Sequence, residues 1–186
     1  MAGAIEKFFD IDTQVADLLD GQALLNHFGS IKYKALKKEK DEAGDSYGWE
    51  ETINIQKNYE NEKCVSFCVS SLSCHGGVGN SFRIGATFRK EDGKRIVVLK
   101  DSYNSDLWLL IKQEVKKELG DDYEMIDEDF ETSPMPDALP YLTKGGVQFD
   151  YQHYEIGPGV LGQICIVIPY EKIKMYMSDE AKQLVY

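Results

Sequence analysis

No apolar run in this sequence approaches the ~20 residues that a membrane-crossing helix needs. The first residues, Met1-Ala2-Gly3-Ala4-Ile5-Glu6, lack both a basic stretch and an apolar one, so no secretory signal is legible there. Basic residues are scarce: 21 Lys and Arg stand against 32 Asp and Glu, for a net charge of −11. Phosphate binding needs a basic surface, so nucleic acid is not an expected partner. A cationic protein would be drawn in by such a field. The four cysteines include no C-x-x-C, and the three histidines, His27, His75 and His153, are scattered, so no metal cluster is expected. Gly76-Gly77-Val78-Gly79 is no phosphate loop, because no lysine or helix pattern follows it. No cofactor is implied.

What is present is ordinary globular material, 42% hydrophobic and 28% charged over 186 residues. That length suits one domain, 1–186, with a helical N-terminal part at 1–47 and an α+β core at 48–186. Asp12 or Thr13 caps a predicted helix with Val15, Leu18, Leu19, Leu25 and Phe28 as its apolar stripe; Gly21 is a weak point in it and Gly29 its stop. Ser30 to Tyr47, rich in lysine and glutamate, reads as a solvated helix or a connection.

From Tyr47 the hydrophobic period changes to two. Tyr47, Trp49, Ile53 and Ile55 share a parity, and Asn58-Tyr59-Glu60-Asn61 reads as a turn. Val65, Phe67 and Val69 then alternate with Cys64, Ser66, Cys68 and Ser70, and Phe82, Ile84, Ala86 and Phe88 with Ser81, Arg83, Thr87 and Arg89. Asp92-Gly93 predicts a hairpin into a strand at 95–99. The pattern is an antiparallel meander with one face on the core. A helix starts at Asp101 or Ser102, carries Leu107, Leu110, Ile111, Val115 and Leu119, and stops at Gly120. Asp121 to Glu131 is an acidic connector, and Pro134, Pro136 and Pro140 exclude helix nearby.

Tyr141-Leu142-Thr143 and Gly145-Gly146 lead as a hairpin into a strand with Val147, Phe149 and Tyr151 on one face and Gln148, Asp150 and Gln152 on the other. Gly157-Pro158-Gly159 is a forced turn in which glycine permits positive φ. Ile164 to Ile168 reads as a strand buried on both faces, and Pro169 opens a short helix bearing Ile173, Tyr176 and Met177. The expected fold class is therefore α+β: a single, mostly antiparallel sheet, including 63–72, 80–89, 95–99, 147–152 and 163–168, with helices packed on it.

Several residues invite chemistry. Cys64 and Cys68, four apart on a strand, have Cα atoms roughly 13 Å apart, too far for one disulfide or one zinc ion. The thiols read as small core residues, and a Cys165 bridge to a neighbouring strand stays open in an oxidising compartment. Adjacent strand residues point to opposite faces, so Cys74 and His75 form no nucleophile–base dyad. Asp150 and Glu155 are a conceivable glycosidase carboxylate pair; against this stands a solvent-facing strand aspartate and a loop glutamate bonded to backbone. The carboxylates of Asp127 to Glu131 lack the glycine of a calcium loop. No catalytic residue and no metal ligand is expected.

Val147-Gln148-Phe149-Asp150-Tyr151, then Tyr154-Glu155-Ile156-x-Pro158, then Ile168-Pro169-Tyr170, resembles the ordered signature of the RsiV-type extracytoplasmic domain. The similarity runs from Trp49 to Val185. Such domains occur in a lysozyme-sensing anti-sigma factor, beside the catalytic domain of a peptidoglycan deacetylase, and in uncharacterised envelope proteins. Gly76 to Gly79 resembles the family's "Y-x-GGAHG" turn, but its tyrosine falls at Cys74 or nearby, its histidine at Gly79, and the "APY" turn is Gly157-Pro158-Gly159 here. The resemblance implies a periplasmic or surface location, with a lipid anchor and a leader not present in these 186 residues. It also implies a sensor-type recognition module that binds a cationic protein such as a lysozyme, or a cell-wall glycan. The ligand-contact candidates are His75, Gly76, Gly77, His153, Tyr154, Glu155 and Pro158, on two glycine-rich loops held by a sheet.

Overall fold

The computed structural model describes residues 21–43, 49–75 and 79–186. The predicted cap at Asp12 or Thr13, with Val15, Leu18 and Leu19, lies outside the described residues. Helix α1, Gly21–Ala43, does not stop at Gly29. Glycine inside a helix costs only about 1 kcal/mol, and the good helix formers beyond it carry the helix on, with Lys38 and Glu42 3.8 Å apart one turn from each other.

Three long antiparallel strands follow: β1 Trp49–Glu60, β2 Cys64–His75 and β3 Asn80–Arg89, in that order across one sheet. The turn expected at 58–61 comes later, because the ladder shifts register between Lys57 and Tyr59 and continues to Glu60. Asn61 makes the turn, its Oδ1 accepting from the N–H groups of Lys63 and Cys64 at 2.8 Å each.

The single expected sheet is two three-stranded sheets. The second contains β4 Tyr141–Leu142, β5 Gly146–Tyr151 and β6 Ile164–Pro169. Segment 95–99 is in neither. The hairpin at Gly93 forms, but pairs antiparallel with β3 only at Phe88 and Arg95. The segment then leaves: Leu99 bridges Met177, and Ser178 N–H donates to Val98 O at 2.8 Å. It stays extended, with Ile96 and Val98 buried and Val97 60% exposed.

The first sheet turns its small, polar face toward the second. Thr87 Oγ1 accepts from Leu142 N–H at 2.9 Å, Arg83 reaches Asp150, and the Tyr141 ring lies over Gly85, where a Cβ would stand 1.9 Å from it. Only glycine allows that approach. The opposite face carries Val65, Ala86 and Phe88 as a separate apolar cluster, with Phe67 packed on it.

The main core lies over the second sheet. It joins Phe149, Ile166 and Ile168 to Leu107, Ile111 and Val115 of α2, Ser105–Leu119. Helix α2 starts later than expected because Asn104, not Asp101 or Ser102, caps it, its side chain accepting from Asp106 and Leu107 N–H. Gly120 ends it as expected. The acidic connector is a 3-10 turn, Gly120–Met125, and a short helix α3, Glu128–Thr132, pinned by buried Phe130. Strand β6 is not buried on both faces: Ile164, Ile166 and Ile168 are buried while Val167 is exposed. Pro169 closes β6 and caps α4, Tyr170–Ile173, and α5, Asp179–Val185, ends the fold. The four cysteines are free thiols, Cys64 and Cys68 buried and Cys74 and Cys165 partly so.

Candidate functional site

Strand β5 is buried along its whole length, including Gln148 and Asp150, so the solvent-facing aspartate expected from alternation is an interior one. The polar face of β5 meets the polar face of the first sheet, and that excludes water from Gln148 and Asp150. Asp150, 2% exposed, accepts from Gln148 Nε2 at 2.6 Å through Oδ1, and its Oδ2 stands 3.4 Å from Arg83 Nε. Burial pushes the neighbouring Cys165 thiol up to about 12, which keeps it protonated and unreactive.

At the end of β5, Gln152 locks the two sheets together. Its Oε1 accepts from Arg83 N–H at 2.8 Å and its Nε2 donates to Arg83 O at 2.7 Å, so a side-chain amide completes the edge of β3. The chain then forms a compact loop. His153 stacks on Tyr154 with centroids 4.4 Å apart, and its Nε2 lies 2.7 Å from Gly159 O. A carbonyl only accepts, so Nε2 is the donor. Nδ1 is buried without a partner. Tyr154 is the non-glycine residue with positive φ, +68°, among the described residues. Its ring covers Gly159, where a Cβ would meet it at 2.3 Å.

Neither Gly157 nor Gly159 carries the positive φ expected of that turn; close approach is what they permit. A Cβ on Gly157 would stand 3.1 Å from Met125 O. Glu155 staples the loop, accepting from Asp137 N–H at 2.7 Å and Gln152 N–H at 2.5 Å. Its burial raises the carboxyl above the usual range, against the pull of those two bonds. Pro158 is exposed and precedes a short 3-10 turn, Gly159–Leu161.

The end of β2 and the start of β3 lie at the same end of the fold as the 153–161 loop: Asn80 stands three residues before Arg83 on β3, about 10 Å beyond the Gln152 contact at strand rise. His75 closes β2 opposite Trp49. Gly76 and Gly77 lie outside the described residues.

Sequence reasoning missed part of the surface around this loop. Val160 is 81% exposed and Tyr154 62%, and exposed Met125 and Leu139 flank segments bonded to the loop through Asp127 N–H to Ile156 O and Asp137 N–H to Glu155. Exposed carboxylates of Asp121, Asp122, Glu124, Asp127, Asp129 and Asp137 surround these apolar groups in sequence. Val160-Leu161 between two glycines was the signal available. Among the described residues no group of three His, Cys, Asp or Glu side chains is placed to hold a metal ion, and no helix is long and apolar enough to cross a membrane.

Residues 94–171 match a family described as protein of unknown function, DUF3298. That span runs from the hairpin after β3 to α4. Two solved structures share the fold. A DUF3298 family protein from Pseudomonas aeruginosa PAO1 has a TM-score of 0.56 and 19% identity, over 74% of this chain and 66% of that one. A DUF3298 member from Bacteroides fragilis NCTC 9343 has a TM-score of 0.56 and 18% identity, over 80% of this chain and 61% of that one. This chain thus spans about two thirds of the length of either. No protein of curated function matches.

Proposed function

We propose that this chain is an extracytoplasmic recognition module of the RsiV type, which binds a cationic protein such as a lysozyme, or a cell-wall glycan, through the loops after β2 and β5. The observation that carries the reading is Tyr154: an exposed aromatic ring on a left-handed backbone, laid over Gly159 and held by a loop that Glu155 staples. A strained conformation persists only where the surroundings enforce it, and such sites cluster at binding surfaces. A rigid aromatic beside exposed Val160 is the material of a binding anchor, and nearby carboxylates favour a basic partner.

The module acts by binding rather than by hydrolysis. Asp150 is sealed between the sheets and both oxygens of Glu155 are engaged by backbone N–H groups, so neither is free to serve a scissile bond. Titration against lysozymes and wall fragments at low and moderate salt tests the binding. The expected result is salt-sensitive binding that Tyr154→Ala weakens at least tenfold, an anchor-sized loss of about 1.4 kcal/mol or more. Absence of binding by the wild type removes the partner class. Peptidoglycan turnover that Glu155→Gln abolishes would make the chain a hydrolase.

A further inference from the structure

The first sheet ends on β1, a long edge strand whose ladder to β2 shifts register between Lys57 and Tyr59. Which of its backbone groups face outward follows from β3. Arg83 gives both its N–H and C=O to Gln152, and Thr87 O accepts from Ile96 N–H, so the odd residues of β3 turn away from β2. In an antiparallel ladder the direction alternates residue by residue. Ser70 and Cys68 therefore bond toward β1, to Asn54 and Gln56, and residues 51, 53, 55 and 57 present their N–H and C=O to the open edge. Thr52, Asn54, Gln56 and Lys57 are exposed there and Ile55 is 36% exposed; helix α1 touches β1, but among the described residues no backbone group outside the sheet hydrogen-bonds to this edge. Proline is absent from β1, and the guards it does carry, Lys57 and the register shift beside it, stand toward its C-terminal end.

The residues on this edge are complementary to themselves. With a two-fold axis at Asn54, antiparallel pairing of two copies sets Ile53 against Ile55, Thr52 against Gln56, and position 51, a glutamate, against Lys57. Each pair occurs twice. The outward groups of 51, 53, 55 and 57 become the hydrogen-bonded positions, so the backbone pattern and the side-chain pattern select the same register. The row Ile84, Val69, Ile55 on one copy continues through Ile53 of the other on the same face.

We infer that β1 is a self-association edge, where a second copy of this chain adds antiparallel about Asn54 and joins two three-stranded sheets into one continuous sheet. This surface is separate from the loops proposed to bind a partner, which follow β2 and β5.

Sedimentation of the full chain reads the association, and cysteine pairing reads the register. Asn54→Cys stands on the axis in a non-hydrogen-bonded pair, where Cα atoms approach to about 4.5–5.5 Å, within disulfide reach. It should form an intermolecular disulfide under mild oxidation, and Thr52→Cys, which faces Gln56, should not. Glu51→Lys should weaken the dimer about tenfold by setting like charges opposite, and Glu51→Lys with Lys57→Glu should restore part of the loss, since Lys57 also pairs with Glu60 of its own chain. Ile55→Pro removes an outward N–H without touching the bonds to β2, and should leave a monomer. A wild-type chain that stays monomeric at about 100 μM, a concentration at which a contact of roughly 5–6 kcal/mol would show, overturns the inference. So does cross-linking through position 52 as fast as through 54, or a dimer that the charge reversal leaves unchanged.

Discussion

Arg83 Nε and Asp150 Oδ2 face each other at 3.4 Å in the seam between the two sheets, the Asp150 side chain 1% exposed and that of Arg83 32%. The carboxylate gave up its water, and Gln148 and Arg83 are what replace it. Arg83→Leu leaves that charge buried without its counter-ion. The expected cost is about 3 kcal/mol, toward the low end for breaking a buried pair because Arg83 keeps some contact with solvent. Arg83→Leu with Asp150→Leu should cost less than Arg83→Leu alone, since an apolar pair needs no solvation. Urea unfolding at neutral pH measures both. A double variant no more stable than the single one would place the cost in lost packing, not in the charge.

Gly85→Ala tests how the sheets meet. The added methyl would overlap the Tyr141 ring, and Tyr141 is fully enclosed, with its hydroxyl 3.4 Å from Asn58 Nδ2. Neither partner has room to shift, so the substitution should cost about 3 kcal/mol or more. Combining it with Tyr141→Ala should recover part of that loss relative to the sum of the two single effects, seen as a non-additive denaturation midpoint.

These two contacts also explain which parts of the fold are legible in the sequence. Strands β2, β3 and β5, the hairpin at Gly93 and the end of α2 at Gly120 are local, and alternation or a cap marks each of them. The division into two sheets is not local. It depends on Gly85 admitting Tyr141 and on Arg83 finding Asp150, partners more than fifty residues apart whose types look like surface residues in a half-buried strand. The same seam hid the burial of Asp150. Segment 95–99 has strand composition, but its bonds go to Thr87 at one end and to 176–178 at the other, a split that no period reveals. At the candidate site, the motif residues His153, Tyr154 and Glu155 are adjacent in the chain and easy to nominate. Their division into an anchor and a staple came only from backbone conformation and hydrogen-bond partners.

Acid and neutral pH act on different carboxylates. Burial lifts Glu155, so the folded chain holds that proton to higher pH than the unfolded one. Its contribution is fully present below the unfolded value of ~4.3 and is lost as pH rises through the folded value. Glu60 and Asp92 behave oppositely: Lys57 and Lys90 hold the first at about 2, and Arg89 holds the second at about 2. Their contributions are present above the usual carboxylate range and are lost as pH falls toward about 2. The unfolding free energy of wild type minus that of Glu155→Gln should therefore shrink as pH rises above ~4.3, whereas the same difference for Glu60→Gln should shrink as pH falls below it. A Glu155 difference that grows with pH would mean that its two backbone donors outweigh burial.

Tyr154 separates strain from packing. Its φ of +68° is costly for any side chain with a Cβ and free for glycine. Tyr154→Ala loses the stack on His153 and the cover over Gly159 but keeps the strain; Tyr154→Gly loses the same contacts and relieves it. Tyr154→Gly should thus be the more stable of the two by about 1 kcal/mol, although glycine also raises the entropy of the unfolded chain, which offsets part of the gain. Both variants should lose the proposed ligand to a similar extent, because affinity rests on the ring and not on the backbone angle. Paired urea titrations and binding isotherms check this. If Tyr154→Ala proves as stable as Tyr154→Gly, the loop relaxes without the ring, and the left-handed conformation is then imposed by the tyrosine's own packing. If Tyr154→Gly retains binding while folded, the anchor is Val160 or another neighbour.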